Sequence, residues 1–302
     1  MNNCCTIISS NHLYKARALY DSLKKNGSDV VLHVLVTDSF EKNNSDKHLI
    51  FYRPEQLAHL ENFKTISDKY ASHHDKFRWT LKPLFLQYLL EAGCEKVIYT
   101  DADIYFFNAY DFLFELLTIY RVLLTPHHYP TDPTKDQNWF EANFRVGLFN
   151  AGFIGVNTKA IYLLKWWAAS CTYRCEKNAF RGTFDDQKYL DLLPVMDENV
   201  HIVRHKGCNI ADWNASEIPR SIKNNDLVLA DAYPLIFIHF NNTTIRTIAT
   251  GGEPLLKPYL QQYMKNLEIY KPGIRLQEMY SNDSVSNRIK YKIWKFMTDA
   301  GL

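Results

Sequence analysis

The chain has 302 residues, of which 46% are hydrophobic and 23% charged, and its 35 Lys and Arg against 33 Asp and Glu leave a formal charge of +2. That is the composition of a globule with a large core, long enough for one large α/β domain or two small ones. The near-balance of charge excludes nucleic-acid binding as its main business, and no run approaches the roughly 20 apolar residues that a membrane-spanning helix needs. The first apolar run, 4–8, is too short and lacks the basic leader of a secretory signal. A cytoplasmic location is therefore expected, with six reduced cysteines and no C-x-x-C pair for zinc. Aromatic content stands out at 14%, with 19 Tyr and 18 Phe. Aromatic faces stack on the apolar C–H face of a pyranose, although a Tyr-rich core accounts for the number equally well.

In chain order, 4–9 reads as a short buried strand. A helix over 13–25 follows, with Leu13, Ala16, Leu19, Tyr20 and Leu23 at helical spacing, and then a β-branched strand over 30–37. Strand, helix, strand in this order predicts a parallel βαβ unit with a right-handed crossover. Ligands in such sheets collect at the carboxyl ends of the strands, which makes Ser9 and Asp38 candidate binding residues. A polar, His-containing stretch leads to a helix over 81–91 that Gly93 ends, and 96–100 (KVIYT) is the next strand. A short helix over 112–119 and a strand over 122–125 come next. The polar segment 127–145 is long for a connection and reads as a functional loop. A strand or hairpin is expected over 147–156, helices over 160–175 and 185–193, and strands over 200–203 and 235–239. The division is a catalytic domain over 1–253 and a helical C-terminal extension over 254–302.

The strongest local signal is VIYTDADIYFF, in which Asp101 and Asp103 follow a hydrophobic strand directly. Two carboxylates placed there face a cleft, where their pKa values would rise unless a cation neutralised them. Hard oxygen ligands suit Mn²⁺ or Mg²⁺, and a divalent ion that bridges a diphosphate offsets charge on a departing nucleotide. The D-x-D motif also occurs in phosphatases of the haloacid-dehalogenase type, but those need a nucleophilic Asp early in the chain and a second acidic pair after a later strand.

DADIYFF resembles the D-x-D of the GT-A glycosyltransferases. Phe149-Asn150-Ala151-Gly152 is similar to the F-N-[AS]-G segment of the retaining family that includes lipopolysaccharide galactosyltransferases and glycogenin. Asp186-Gln187 resembles that family's D-Q pair, and His239 falls where it has a third metal ligand. TLKPLFLQYLL, LLTPHH, GLFNAGFIGVN, FDDQKYLDLLP, HKGCNIADWN and FIHFNN resemble, in the same order, a group of bacterial polysaccharide-cluster glycosyltransferases across roughly residues 5–245. The resemblance implies an α/β fold of GT-A type: a Rossmann-like, mixed but mostly parallel sheet flanked by helices. It implies a nucleotide-sugar donor (UDP-sugar favoured), a glycan or lipid-linked acceptor, and Mn²⁺ or Mg²⁺ as cofactor. Asp103 would bind the metal, Asp101 the metal or the ribose, and His239 would complete the site. Asn150 would contact the donor or acceptor sugar, Asp186 the donor-sugar hydroxyls, and Gln187 would sit near the anomeric carbon. Lys82 is either a phosphate or carboxylate partner in the cleft or a surface lysine, and Asp185 or Asp186 is expected to cap a helix. Asn209 and Trp213 line the sugar site, unless Trp213 is simple core.

One motif departs from that family. Its H-x-x-G-x-x-K pattern becomes His239-Phe-Asn-Asn242-Thr-Thr-Ile245 here, so the lysine that would hold the diphosphate is missing. Arg246 and Lys82 are the candidates to replace it. Finally, RIKYKIWKFM puts Ile289, Ile293, Phe296 and Met297 on one helical face with basic residues largely elsewhere. This is a pattern for peripheral contact with an anionic membrane, or for a terminal helix packed on the domain.

Overall fold

In a computed structural model of the protein, residues 1–39, 46–224 and 226–280 are described. The segment 288–297, expected from its pattern as a basic amphipathic helix, lies outside them, and with it the expected membrane contact. The first half of the chain runs β1 (Asn2–Ile8), α1 (Leu13–Asn26), β2 (Val30–Val36), β3 (Leu49–Tyr52), α2 (Phe63–Tyr70), α3 (His74–Glu91), β4 (Lys96–Thr100), β5 (Ile104–Phe106), α4 (Asp111–Ile119), β6 (Val122–Pro126) and α5 (Gln137–Arg145). It continues with β7 (Phe149–Asn157), α6 (Ile161–Tyr173), α7 (Leu193–Met196), β8 (Val200–Ile202), β9 (Arg220–Lys223), β10 (Asp226–Leu229), β11 (Tyr233–Pro234), β12 (Phe237–His239), α8 (Asn242–Ala249) and α9 (Lys257–Tyr270).

Seven strands form the main sheet, in the order β3-β2-β1-β4-β7-β6-β8. Every neighbouring pair is parallel except the two that involve β7, which runs against both β4 and β6. The continuous apolar runs in the sequence find their reason here. β2 is buried along its whole length because helices cover both faces of the sheet. On one face α2, α3 and α6 close over Phe85, Leu89, Ile154 and Trp167. On the other, α1 and α4 cover Leu19, Leu23, Val34 and Phe114. Each such side chain contributes about 1.5–3 kcal/mol by leaving water. β5 and β12 form a separate antiparallel pair, and a third cluster joins them to α8 and α9 through Tyr105, Phe240, Tyr263 and Leu267. Among the described residues no helix is long and apolar enough to cross a membrane.

Three local expectations are corrected. The helix expected over 81–91 begins at His74, so Pro83 lies inside it rather than in its first turn. Proline favours a first turn because it lacks an N–H. Burial of Phe77, Leu81, Leu84 and Phe85 outweighs that local preference, and it places Arg78, Trp79 and Lys82 on one helix. The long segment 127–145 is a loop only in its first part. Asp136 caps α5 by accepting from Trp139 N at 3.1 Å. The helix expected over 185–193 is instead a turn at Asp185, with φ of +49°, followed by short helical stretches from Lys188. Neither Asp185 nor Asp186 caps it, which frees both carboxylates for other partners.

Candidate active site

Asp101 and Asp103 leave the end of β4 in a tight turn. Ile104 N donates to Asp101 O at 3.0 Å, and Asp101 N donates to Gly152 O on β7 at 2.8 Å. The next strand, β5, pairs with β12 so that Ile104 stands opposite His239. That register, with Phe240 N bonded to Asp103 O at 2.8 Å, carries an imidazole from far along the chain to the two aspartates. His239 Nε2 lies 3.2 Å from Asp103 Oδ1 and 4.0 Å from Asp101 Oδ2. One ligand atom from each of the three residues lies within 4.8 Å of the others.

A side chain from β7 sets the ring. The Asn150 amide nitrogen is 3.0 Å from His239 Nδ1 and 2.8 Å from Asn209 Oδ1, while Asn150 Oδ1 accepts from Gly152 N at 2.7 Å. Nε2 is therefore the atom presented to the carboxylates. Asn209 sits fully buried at a φ of +62° and bonds onward to Pro126 O at 3.0 Å, so it holds Asn150 from behind. Trp213 donates to His127 O at 3.0 Å and turns its edge to His239 at 5.5 Å. His127, Tyr129 and Trp139 stack beside it, with centroids 4.6 and 5.4 Å apart, as a wall of the same cleft.

Lys82 is buried, at 3% exposure, which removes the surface reading. Its Nζ donates to Ala151 O at 3.0 Å and lies 3.2 Å from Asp186 Oδ2 and 3.6 Å from Asp101 Oδ1. Burial pulls its pKa down, but the two carboxylates more than offset this and hold it above its ordinary value. Burial pushes Asp186 the other way, up to about 6, against the pull of Lys82. Burial pushes the half-buried Asp103 up as well, but the charge and hydrogen bond of His239, with help from Lys15, outweigh it and hold the carboxyl well below the usual carboxylate range. Reciprocally, Asp103 and Asp101 outweigh burial at His239 and raise its pKa. Tyr99 OH donates to Asp101 Oδ1 at 2.6 Å. Gln187 is held by its amide, accepting from Ala151 N at 3.1 Å and donating to Val146 O at 3.3 Å.

Two further sequence candidates lie at the carboxyl ends of β1 and β2. Ser9 Oγ donates to Asn11 Oδ1 at 2.6 Å, and Asp38 accepts from Ser10 N and Oγ at 2.6 and 2.8 Å. Ser9 is engaged with its own loop and Asp38 with the loop after β1, and the bay beside Asp101 and Asp103 is lined by His12, Lys15, Arg78 and Trp79. Sequence reasoning missed these four. Arg78 and Trp79 fell outside the expected helix, and Lys15 stands in the first turn of α1, a place that disfavours a cation. Of the two proposed replacements for the missing lysine, Lys82 lies in the cleft, and Arg246 donates from Nη2 to Tyr280 O at 3.0 Å.

At Gly152 the backbone approaches the cluster closely. A Cβ there would stand 2.7 Å from His239 Cε1 and 2.9 Å from Asp101 Oδ2 and Asn150 Oδ1. Gly152→Ala is therefore expected to displace His239 and Asp101 and, at the candidate Asp101–Asp103–His239 cluster, to weaken Mn²⁺ binding by about 10–100-fold, the usual cost of disturbing a metal site's support. Calorimetric titration with Mn²⁺ measures this, and an unchanged affinity would show that the three side chains do not act together.

No model of a described protein family matches the chain. Over 88% of its length it shares the fold of the galactosyltransferase LgtC, solved with donor and acceptor sugar analogues, covering 95% of that chain at a TM-score of 0.55 and 13% identity. The fold is that of the GT-A glycosyltransferases, and it sets aside the haloacid-dehalogenase alternative. The chain is also 30% identical over 255 residues to the uncharacterized protein YfnF of Bacillus subtilis (strain 168), covering 81% of itself and 82% of YfnF. It is 30% identical over 252 residues to YfnD of the same organism, covering 80% of itself and 78% of YfnD. The chain belongs to the family of YfnF and YfnD.

Proposed function

We propose that the protein transfers a hexosyl residue from a nucleoside-diphosphate sugar, a UDP-sugar by preference, to a glycan or lipid-linked acceptor in surface polysaccharide synthesis. The observation that carries this reading is the convergence of Asp101, Asp103 and His239, from β4's end and β12, on one point at the carboxyl edge of the sheet. Two carboxylates and an imidazole suit Mn²⁺ or Mg²⁺, and the ring nitrogen favours Mn²⁺ of the two. Such an ion, when bound, offsets charge that develops on the leaving diphosphate. The remaining work falls to the chain. Asp186, at the floor of the cleft, accepts hydrogen bonds from donor-sugar hydroxyls. Lys82 stands between Asp186 and Asp101 and counters the burial that raises the Asp186 pKa, so that one carboxylate serves the sugar and the other the metal. Gln187, braced against β7, presents its amide near the anomeric carbon. The aromatic wall of Tyr129, Trp139 and Trp213 excludes water and offers apolar faces to a pyranose.

The test is a thermal-shift screen of UDP-, GDP- and CMP-sugars with and without Mn²⁺. One nucleoside-diphosphate class should raise the melting temperature by mass action, about 2.7 kcal/mol at a hundred times its Kd, and only in the presence of the metal. Transfer or slow hydrolysis of that sugar nucleotide should follow. Metal-independent shifts, or none with any donor, would overturn the proposal.

A further inference from the structure

In the segment after His239, Ile245 stands where the resembled family has its lysine. There the chain forms α8, in which Ile245 is packed into the core and Arg246 bonds to the carbonyl of Tyr280. Positive charge gathers instead on the other side of the aspartates in the sequence, from α1 and α3. Lys15, in the first turn of α1, and Arg78, one turn before Lys82 on α3, line the same bay as Asp101, Asp103 and Tyr99.

Several features mark this bay as built for an anion. The first turn of α1 holds no acidic residue, so Lys15 adds its charge to the positive end of the helix dipole, an arrangement that costs a few tenths of a kcal/mol or more unless an anion is present. Among the described residues Lys15 forms no ion pair. The carboxylate partner of Arg78 is Asp75, whose side chain is 65% exposed and so competes weakly with a bound ligand. Lys271 lines the adjoining bay together with His12, Lys15 and one acidic residue, Glu278. His12 registers all three cations. Burial first, then Lys15 and Arg78, with a smaller push from Lys271 and against the pull of Asp103, bring its pKa down to about 4. It is thus neutral near pH 7 and able to hydrogen-bond without adding charge.

We infer that Lys15 and Arg78 bind the phosphate oxygens of the donor's diphosphate, in place of the lysine missing after His239. This rests on the sugar-transfer reading above. The diphosphate is then held from the α1 and α3 side of the metal cluster, with Lys15 as a point charge and Arg78 as a fork.

The probe is inorganic pyrophosphate, titrated calorimetrically in the presence of Mn²⁺ into the wild type and into Lys15→Gln, Arg78→Gln and Lys15→Arg. Lys257→Gln, at an exposed position on α9, is the control. Each Gln variant is expected to weaken pyrophosphate binding by about tenfold or more, the worth of one charge-assisted hydrogen bond, while Lys15→Arg keeps most of the affinity. Affinity for Mn²⁺ alone and the melting temperature should stay at wild-type values, which distinguishes a weakened anion site from a damaged fold. Undiminished pyrophosphate binding in both Gln variants would overturn this inference and leave the proposed function standing. A wild type that binds no pyrophosphate with Mn²⁺ would overturn both.

Discussion

Asp103→Asn should lower sugar transfer by about a thousandfold or more while leaving the far-UV circular dichroism unchanged. The amide keeps the shape of the carboxylate, so the turn after β4 and its bond to Phe240 N, which uses the backbone carbonyl, survive. What disappears is one of the two negative charges that face His239 at 3.2 and 4.0 Å. The Mn²⁺ affinity should therefore fall together with the rate, and raising Mn²⁺ should restore only part of it. A variant that turns over at the wild-type rate with full metal dependence would remove Asp103 from the site. The parallel change Asp101→Asn is the less clean experiment, because Asp101 is also tied to Tyr99 and Lys82.

Lys82→Met should damage stability as well as activity. The side chain fits an apolar volume, but Asp186 would be left buried with no cation, and removing one partner of a buried pair costs about 3–5 kcal/mol. The sign of its pH dependence follows from Asp186. Burial already raises that carboxyl's pKa to about 6, above the unfolded value of about 3.9. Without Lys82 it rises further, so the folded variant takes up a proton that the unfolded chain does not. Stability of Lys82→Met should then recover as pH falls below the folded pKa and worsen as it rises. Urea denaturation of wild type and variant at pH 5 and pH 8 measures the difference. A destabilisation that is equal at both values would show that Asp186 is not the group left stranded.

These two residues also mark how much of the site was legible in the chain. Asp103 announced itself because its signal is local: two acids directly after a β-branched strand leave little room for a purely structural role. Lys82 was ambiguous between cleft and surface, since a lysine beside proline carries no sign of its own burial. That lysine is deeply buried because α3 begins seven residues earlier than Leu81 and lies against β4 and α6. Asn209 looked like a sugar ligand, but its amide is spent on Asn150 and Pro126. Its φ of +62° and its partners are products of packing that no spacing displays.

Periodicity and strand runs were enough for the parallel β1-α1-β2 unit, the strand that delivers the aspartates and the glycine-containing strand β7, because burial on two faces writes itself into a continuous apolar run. The convergence of residues 82, 101, 103, 150, 186 and 239 was another matter. It depends on β7 entering antiparallel between β4 and β6, and on the β5–β12 register that sets His239 opposite Ile104. Strand pairing is a choice among distant segments with similar local patterns, decided by which faces can be buried together. The same holds for the cations of α1 and α3, where Lys15 and Arg78 meet only because the sheet puts β1 next to β4.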